Sequence, residues 1–429
     1  MVDPNQAPNE VVELHKKSAA SLSDTTWLIL MSFMLFFLLL PISSYIAALS
    51  LIRQEWALSN TEAGAIYSAY LAGYVLSALF VIPLTDRIGP RNILLGSAAL
   101  SIFTHIMFPL LADDILIAVL LRAAAGVGLV GIYMPGLRLI ADRFSGNRRG
   151  MAMGLYVTAQ YAANSCSLAL TGLLMSTFEW RDAYLIVAVG AGTGIPLAIL
   201  VLRNHGQSTP DISGRLNISV FRNASARYLI LGYSLHALQL FAARVWLPVF
   251  LVGVLISKGV DPAKAAVDGA TIGGLALLAG SVGPFMGGTL SDRWGRSTSA
   301  SLIFGLSGGC ALIIGWTTGL PLSLIVGLSV IYGWAIAADS AIYSTGIVEV
   351  SLPSTLGSTM AIQASIGLLG GVVGPILFGG ILDISPNDLS WPIAFSSLGL
   401  LAIVAICGMQ RIRYLPQNNL LEGYKNNPT

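Results

Sequence analysis

Apolar residues run through this chain in twelve long blocks separated by short polar turns. The blocks lie near 26–52, 61–83, 91–111, 115–137, 150–177 and 182–202, then near 227–256, 268–290, 297–318, 321–346, 358–382 and 391–411. Each approaches or exceeds the roughly 20 apolar residues that a helix needs to cross a bilayer. A crossing segment without a closed barrel has to be helical, because lipid offers its backbone no hydrogen bonds. The longest polar interruption, 203–226, divides the series six and six. The pattern predicts an all-α membrane protein of twelve transmembrane helices, spans 1–12. It consists of a tail over 1–25, a six-helix bundle over 26–202, a linker over 203–226, a second six-helix bundle over 227–411 and a tail over 412–429.

Charge tests that count. Of the 23 Lys and Arg, seventeen fall in tails and turns on the side of the N-terminus, and four (Arg53, Arg181, Lys258, Lys264) fall on the other. Arg122 and Arg244 remain inside spans. A miscounted span would scramble this asymmetry. The positive-inside rule then places both tails in the cytoplasm and the chain in the cell (inner) membrane. Charged residues are only 10% of the chain, against about 25% in soluble domains, so the expected partner of the surface is the lipid bilayer. Basic residues form short scattered clusters and the net charge is +2, which gives no stripe for nucleic acid. Cys166, Cys310 and Cys407 sit in apolar blocks without metal-ligand spacing; they read as buried small residues, with no metal site.

Two turns repeat. Leu84-Thr85-Asp86-Arg87-Ile88-Gly89-Pro90-Arg91 follows span 2, and Gly288-Thr289-Leu290-Ser291-Asp292-Arg293-Trp294-Gly295-Arg296 follows span 8. Their Asp-Arg-x-Gly cores are 206 residues apart, at equivalent places in the two halves. A weaker echo opens spans 6 and 12 at Trp180 and Trp391, and span 4 carries Arg122-x-x-x-Gly126-x-Gly128. On these residues the chain resembles the major facilitator superfamily, whose hallmark is a G-x-L-x-D-R-x-G-R turn after spans 2 and 8 and an R-x-x-x-G-x-G motif in span 4. The second turn matches throughout; the first has Ile82 for the leading Gly and Pro90 for the usual Arg or Lys. The resemblance implies two pseudo-symmetric bundles around a midplane site. It also implies a gating role for Asp86, Arg87, Gly89, Asp292, Arg293, Gly295 and Arg296, and proton coupling or helix contact for Arg122. A turn carrying both charge signs can latch helix ends in one state and release them in another, with Gly89 and Gly295 supplying the tight backbone; the alternative is a basic turn that only sets orientation.

A charge at mid-membrane costs about 2.5–3.5 kcal/mol on insertion scales, so Arg122, Arg244 and Asp339 each need a reason. At about 100° per residue, Tyr233, His236 and Arg244 share one face of span 7, while Gln239 points to a neighbouring helix. Arg244 is a candidate contact for an anion, because guanidinium reads carboxylates bidentately; it could instead be a clamp on Asp339. Arg122 is a candidate for substrate contact or proton coupling. Asp339, with Tyr332 and Tyr343 on its face, is a candidate proton carrier or a fixed counter-ion. In span 5, Tyr156, Gln160, Asn164, Ser167 and Thr171 form a polar stripe, either a helix–helix seam or a cavity wall offering Asn164 and Gln160 to substrate. Tyr67, Tyr70 and Tyr74 in span 2 read as packing.

These features predict a secondary active transporter, with proton-coupled uptake of a small organic anion and a cavity lined by spans 1, 4, 5, 7, 10 and 11. The expected partners are an anionic small-molecule solute and protons, with no cofactor and a monomeric state. Spans 7 and 10 are similar to a little-characterised bacterial branch near the nitrate/nitrite porters. Nitrate itself is disfavoured, because the Gly-Asn-rich signature of those porters is missing from spans 5 and 11. Alternatives are an exporter of amphipathic compounds, although the antiporter-like Gly-Pro pattern lies in span 11 instead of span 5, or a transporter-like sensor or assembly factor. With no nucleophile–base pair and no metal-ligand cluster, an enzyme is not expected.

Overall fold

The computed structural model describes residues 22–145, 147–203, 221–351, 356–412 and 414. Most of the linker, nearly all of both tails and the side chain of Asp86 lie outside the described residues. Helices α1 (Asp24–Leu39) and α2 (Ser44–Glu55) make span 1, and α3 (Asn60–Ile88), α4 (Pro90–Leu111), α5 (Ile115–Arg143) and α6 (Asn147–Leu174) make spans 2–5. Span 6 is α7 (Trp180–Ala191) with α8 (Gly194–Val201). The second half opens with α9 (Ala224–Ser257) as span 7, followed by α10 (Pro262–Leu278) and α11 (Gly283–Trp294) as span 8. Span 9 is α12 (Arg296–Ile314), span 10 is α13 (Leu322–Ala338) with α14 (Ser340–Val350), and spans 11 and 12 are α15 (Leu356–Ile384) and α16 (Ser390–Ile412). Eleven of these rods are apolar and long enough to cross a membrane. The remaining one, α6, has 28 residues, about 42 Å at 1.5 Å per residue, and is made less apolar by its polar stripe. The protein is an all-α integral membrane protein, and Phe80 and Phe285, both 75% exposed, stand among the apolar side chains on its lipid-facing surface.

Span 1 was expected as one helix, but it breaks between Leu39 and Ser44. Pro41 lacks an N–H and its ring crowds the preceding turn. The backbone groups freed there find side-chain partners: Arg122 Nη1 donates to Ile42 O at 3.3 Å, and Ser43 N–H donates to Ser167 Oγ at 3.0 Å. Span 8 loosens into a 3-10 turn at Ala279–Val282, just before Gly283-Pro284. Span 10 breaks at Asp339, which ends α13 and precedes α14.

Both halves share two devices. Gly89 (φ 91°) and Gly295 (φ 82°) occupy a region open only to glycine, so the repeated turn has the same backbone twice. The next residue starts a helix each time; Pro90 suits that first position, where a missing N–H costs nothing. Close helix crossings form the second device. A Cβ at Gly73 would lie 2.0 Å from Ala123 O, and one at Gly126 1.9 Å from Tyr70 O, joining α3 to α5. A Cβ at Gly287 would lie 1.8 Å from Ala338 O, joining α11 to α13 in the same way. The obstacle in each case is backbone, which cannot rotate aside. Gly126→Ala is therefore expected to lose about 1–3 kcal/mol, the usual cost of overpacking, read as a lower Tm in detergent with helicity retained.

The halves meet through α3 with α15, α6 with α10, and α2 with α9 and α10. Their close contacts include Gly64 on Pro375, Gly379 on Asn60 and Gly172 on Ala270. These lie toward the end of the bundle opposite the Asp-Arg-x-Gly turns. At that end the Asp383 carboxylate, on α15, caps the start of α3 in the other half. It accepts from Asn60 N–H (2.9 Å), Asn60 Nδ2 (2.7 Å), Thr61 N–H (2.8 Å) and Thr61 Oγ1 (2.6 Å). A carboxylate at a helix N-terminus satisfies free N–H groups and complements the dipole.

Candidate functional site

A narrow cavity opens between the halves where α2, α6, α9 and span 10 converge. Ser43, Tyr161, Asn164, Arg244, Gly280 and Gly333 are among its lining residues. Spans 1, 5, 7 and 10 border it as expected. Span 8 joins them, whereas none of the described lining residues comes from span 4 or span 11. The tight glycine crossings pull α10 against α6, because Gly274 faces Ala169 with no side chain between.

Arg244 is half-buried beside this cavity. Its guanidinium carbon lies 5.2 Å from the Phe241 ring centre and 5.7 Å from that of Tyr161, which belongs to the other half. Among the described residues it forms no ion pair; the expected alternative of a clamp on Asp339 is not formed. Asp339 pairs instead with His236, Oδ1 to Nδ1 at 2.7 Å, with both side chains almost wholly buried. The contact is close but lacks the alignment of a hydrogen bond. Tyr233 stacks on His236 (centroids 5.7 Å apart, planes at 28°), and the Tyr343 ring lies 6.1 Å from it.

The shared face read for Tyr233, His236 and Arg244 thus divides in two. Eight residues of helix separate His236 from Arg244, about 12 Å along the axis, so one meets span 10 and the other meets span 5. Gln239 does turn to a neighbouring helix: Ser307 Oγ donates to its Oε1 at 3.2 Å. Tyr332 does not join the Asp339 cluster and packs edge-on against Phe395.

Arg122 is 1% exposed. Three rings surround its guanidinium carbon: Tyr70 at 4.7 Å, Tyr45 at 5.4 Å and Tyr67 at 5.7 Å. Beyond the bond to Ile42 O, its Nε and Nη2 meet no acceptor in hydrogen-bond geometry among the described residues, although the Tyr184 hydroxyl also lies beside the guanidinium. Tyr67 and Tyr70, read as packing, are part of this box.

The span 5 stripe is chiefly a seam with span 1. Ser167 accepts from Ser43 N–H, Ser43 Oγ donates to Asn164 Oδ1 at 3.4 Å, and Ser44 and Thr171 share a hydroxyl contact of 2.8 Å. Asn164 also reaches the cavity, while Gln160 is half-buried and its backbone carbonyl accepts from Asn164 Nδ2 at 2.8 Å. Sequence reasoning missed Tyr161. It lies three residues from Asn164, about 60° away on the wheel, and that spacing was the available signal. It also missed Ser43 and Tyr45, which flank the unforeseen break in span 1.

The second Asp-Arg-x-Gly turn is latched within its own half. Arg296 contacts Asp292 at 2.6 Å and Glu349, at the end of α14, at 2.8 Å; Arg293 is exposed. In the first turn Pro90 stands where Arg296 stands, and Arg87 is exposed. Cys407 departs from expectation in being exposed, on the outer face of α16, while Cys310 is buried and Cys166 intermediate.

The sequence profile of the Major Facilitator Superfamily matches residues 31–338. A probable sulfoacetate transporter of Cupriavidus necator is 23% identical over 389 residues, covering 84% of this chain and 87% of that protein. A gallate transporter of Pseudomonas putida is 24% identical over 405 residues, covering 85% and 87%. A solved structure of a bacterial homologue of the human lysosomal transporter Spinster, in an inward-facing and occupied conformation, matches with a TM-score of 0.72 at 15% identity. The match covers 92% of this chain and 97% of that one.

Proposed function

Because the chain belongs to the Major Facilitator Superfamily and is a solute transporter and not an enzyme, we propose that it takes up a small organic anion together with protons by alternating access. The observation that carries this reading is Arg244, a permanent charge at the cavity between the halves that has no carboxylate partner among the described residues. Such a charge is costly to desolvate, and an arriving anion offsets that cost. The transport of sulfoacetate and gallate ascribed to its relatives supports the same substrate class.

In this reading the halves rock about the cavity. Asp383 and the glycine contacts close one end, and the Asp-Arg-x-Gly turns act as the gate at the other. His236 and Asp339 carry the proton. The protein works as a monomer in the inner membrane with both tails cytoplasmic, in keeping with the seventeen-to-four distribution of basic residues. The test is uptake of labelled organic acids into proteoliposomes under an imposed pH gradient. Accumulation against a concentration gradient, collapsed by a protonophore, is expected. Uptake that only equilibrates, with or without the pH gradient, would refute proton coupling.

A further inference from the structure

We propose that the cavity selects an aromatic monocarboxylate that carries a ring hydroxyl. Arg244 takes the carboxylate, the apolar wall of the C-terminal half covers the ring, and Ser43 and Asn164 of the N-terminal half read the hydroxyl. This inference rests on the anion-transport reading above and specifies its substrate class.

The two walls of the cavity differ in chemistry. The N-terminal half contributes Ser43, Tyr161, Asn164 and Ser165, with Leu168 the one aliphatic side chain among its described lining residues. The C-terminal half contributes Arg244 in a wall otherwise made of Leu240, Leu277, Ile336, Ala337 and two glycines. Leu240 precedes Arg244 by four residues on α9, so the apolar wall begins one turn from the guanidinium on the same helix face. The glycines, Gly280 and Gly333, meet backbone to backbone: a Cβ on Gly280 would lie 2.7 Å from Gly333 O. With no side chain projecting there, the wall is smooth and suits a flat apolar body. A hydroxyl pressed against such a surface gives up its water and finds no partner. The wall therefore disfavours a polyhydroxylated acid, whose hydroxyls project on all sides, and a two-carbon acid would leave it uncovered.

The polar wall holds bonding capacity in reserve. Ser43 Oγ donates to Asn164 Oδ1 at 3.4 Å, and Asn164 Nδ2 donates to Gln160 O at 2.8 Å. The Ser43 oxygen keeps its lone pairs, and the Asn164 amide has a second N–H that this bond does not use. A single hydroxyl can donate to the first and accept from the second. Spacing points to a ring between charge and hydroxyl. Tyr161 covers the Arg244 guanidinium, with 5.7 Å from ring centre to guanidinium carbon. Asn164 follows Tyr161 by three residues, about 4.5 Å along the axis of α6. The readers of carboxylate and hydroxyl are thus about one helical turn apart along that axis, the scale of one aromatic ring, and the Tyr161 ring offers that body a stacking face. Because the walls belong to different halves, a ligand that satisfies both also bridges them.

The test is calorimetry on the full-length detergent-purified protein with the ortho, meta and para hydroxybenzoates, benzoate, acetate and gluconate. At least one hydroxybenzoate is expected to bind tenfold or more tighter than benzoate, with acetate and gluconate weaker than either. Asn164→Leu should remove the preference for hydroxybenzoate over benzoate. Asn164 also ties span 5 to span 1, so Leu277→Asn supplies a second variant, on the opposite wall. It should shift the ratio of hydroxybenzoate to gluconate affinity at least tenfold toward gluconate. Benzoate that binds the parent as tightly as every hydroxybenzoate, or gluconate that binds tightest, would overturn this inference and leave the anion reading standing. Parental preferences in a folded Asn164→Leu or Leu277→Asn variant would overturn it as well. Failure of all these acids to bind, together with succinate and methanesulfonate, would overturn both readings.

Discussion

Arg244→Ala is expected to eliminate measurable binding of the anionic solute while leaving a folded, monodisperse protein. The two effects separate because of what the side chain touches. It meets the faces of Phe241 and Tyr161, and among the described residues it forms no ion pair that truncation would break. Removing one partner of a buried pair is severe mainly because the other is left uncompensated; among the described residues Arg244 has no such partner. If, as proposed, the bound anion is the partner, the loss is expected to be about 2–5 kcal/mol, or roughly 30- to several-thousand-fold in affinity. Arg244→Lys preserves the charge but not the planar fork, so it should bind weakly and transport slowly. Calorimetry on each purified variant decides the matter. Parent-like affinity in a folded Ala variant would remove the main support for an anionic solute.

The features that depend on composition and chain-local geometry were legible in the sequence. Twelve spans follow from runs of apolar residues, and the identity of Gly89 and Gly295 follows from a backbone that no other residue adopts comfortably. Features that depend on the height of a residue along a helix, or on which neighbour it meets, were not legible. A helical wheel placed Tyr233, His236 and Arg244 together because it collapses the axis, and some 12 Å of rise sends them to different partners. The break in span 1 was signalled by Pro41, yet its consequence required tertiary information. Ile42 O and Ser43 N–H, freed by the break, are satisfied only because Arg122 donates to the one and Ser167 accepts from the other. Similarly, Tyr67 and Tyr70 form an aromatic stripe whether or not a guanidinium faces it, so the sequence alone could not separate packing from a cation box.

Asp339→Asn is expected to abolish proton-driven accumulation while solute counterflow across the membrane continues. The carboxylate ends α13 and precedes α14, so it stands where span 10 already departs from a continuous helix. Its partner His236 comes from span 7, and Tyr233 and Tyr343 close around the pair. In so dry a setting any change of charge at the Asp339–His236 contact acts strongly, so a proton gained or lost there alters how spans 7 and 10 hold each other. That change bears on a helix break and on the first helix of the second half together, which is the leverage a coupling site needs. Asparagine keeps the size and an acceptor oxygen but cannot exchange a proton, so exchange of solute for solute remains possible while work against a gradient does not. His236→Gln should reproduce the same division, because it removes the other titratable member of the pair. Both variants are assayed in proteoliposomes, with accumulation under a pH gradient and counterflow without one measured on the same preparation. Accumulation that survives in Asp339→Asn would place the coupled proton elsewhere. Loss of both activities together with loss of folded protein would make the pair a structural tie between spans 7 and 10.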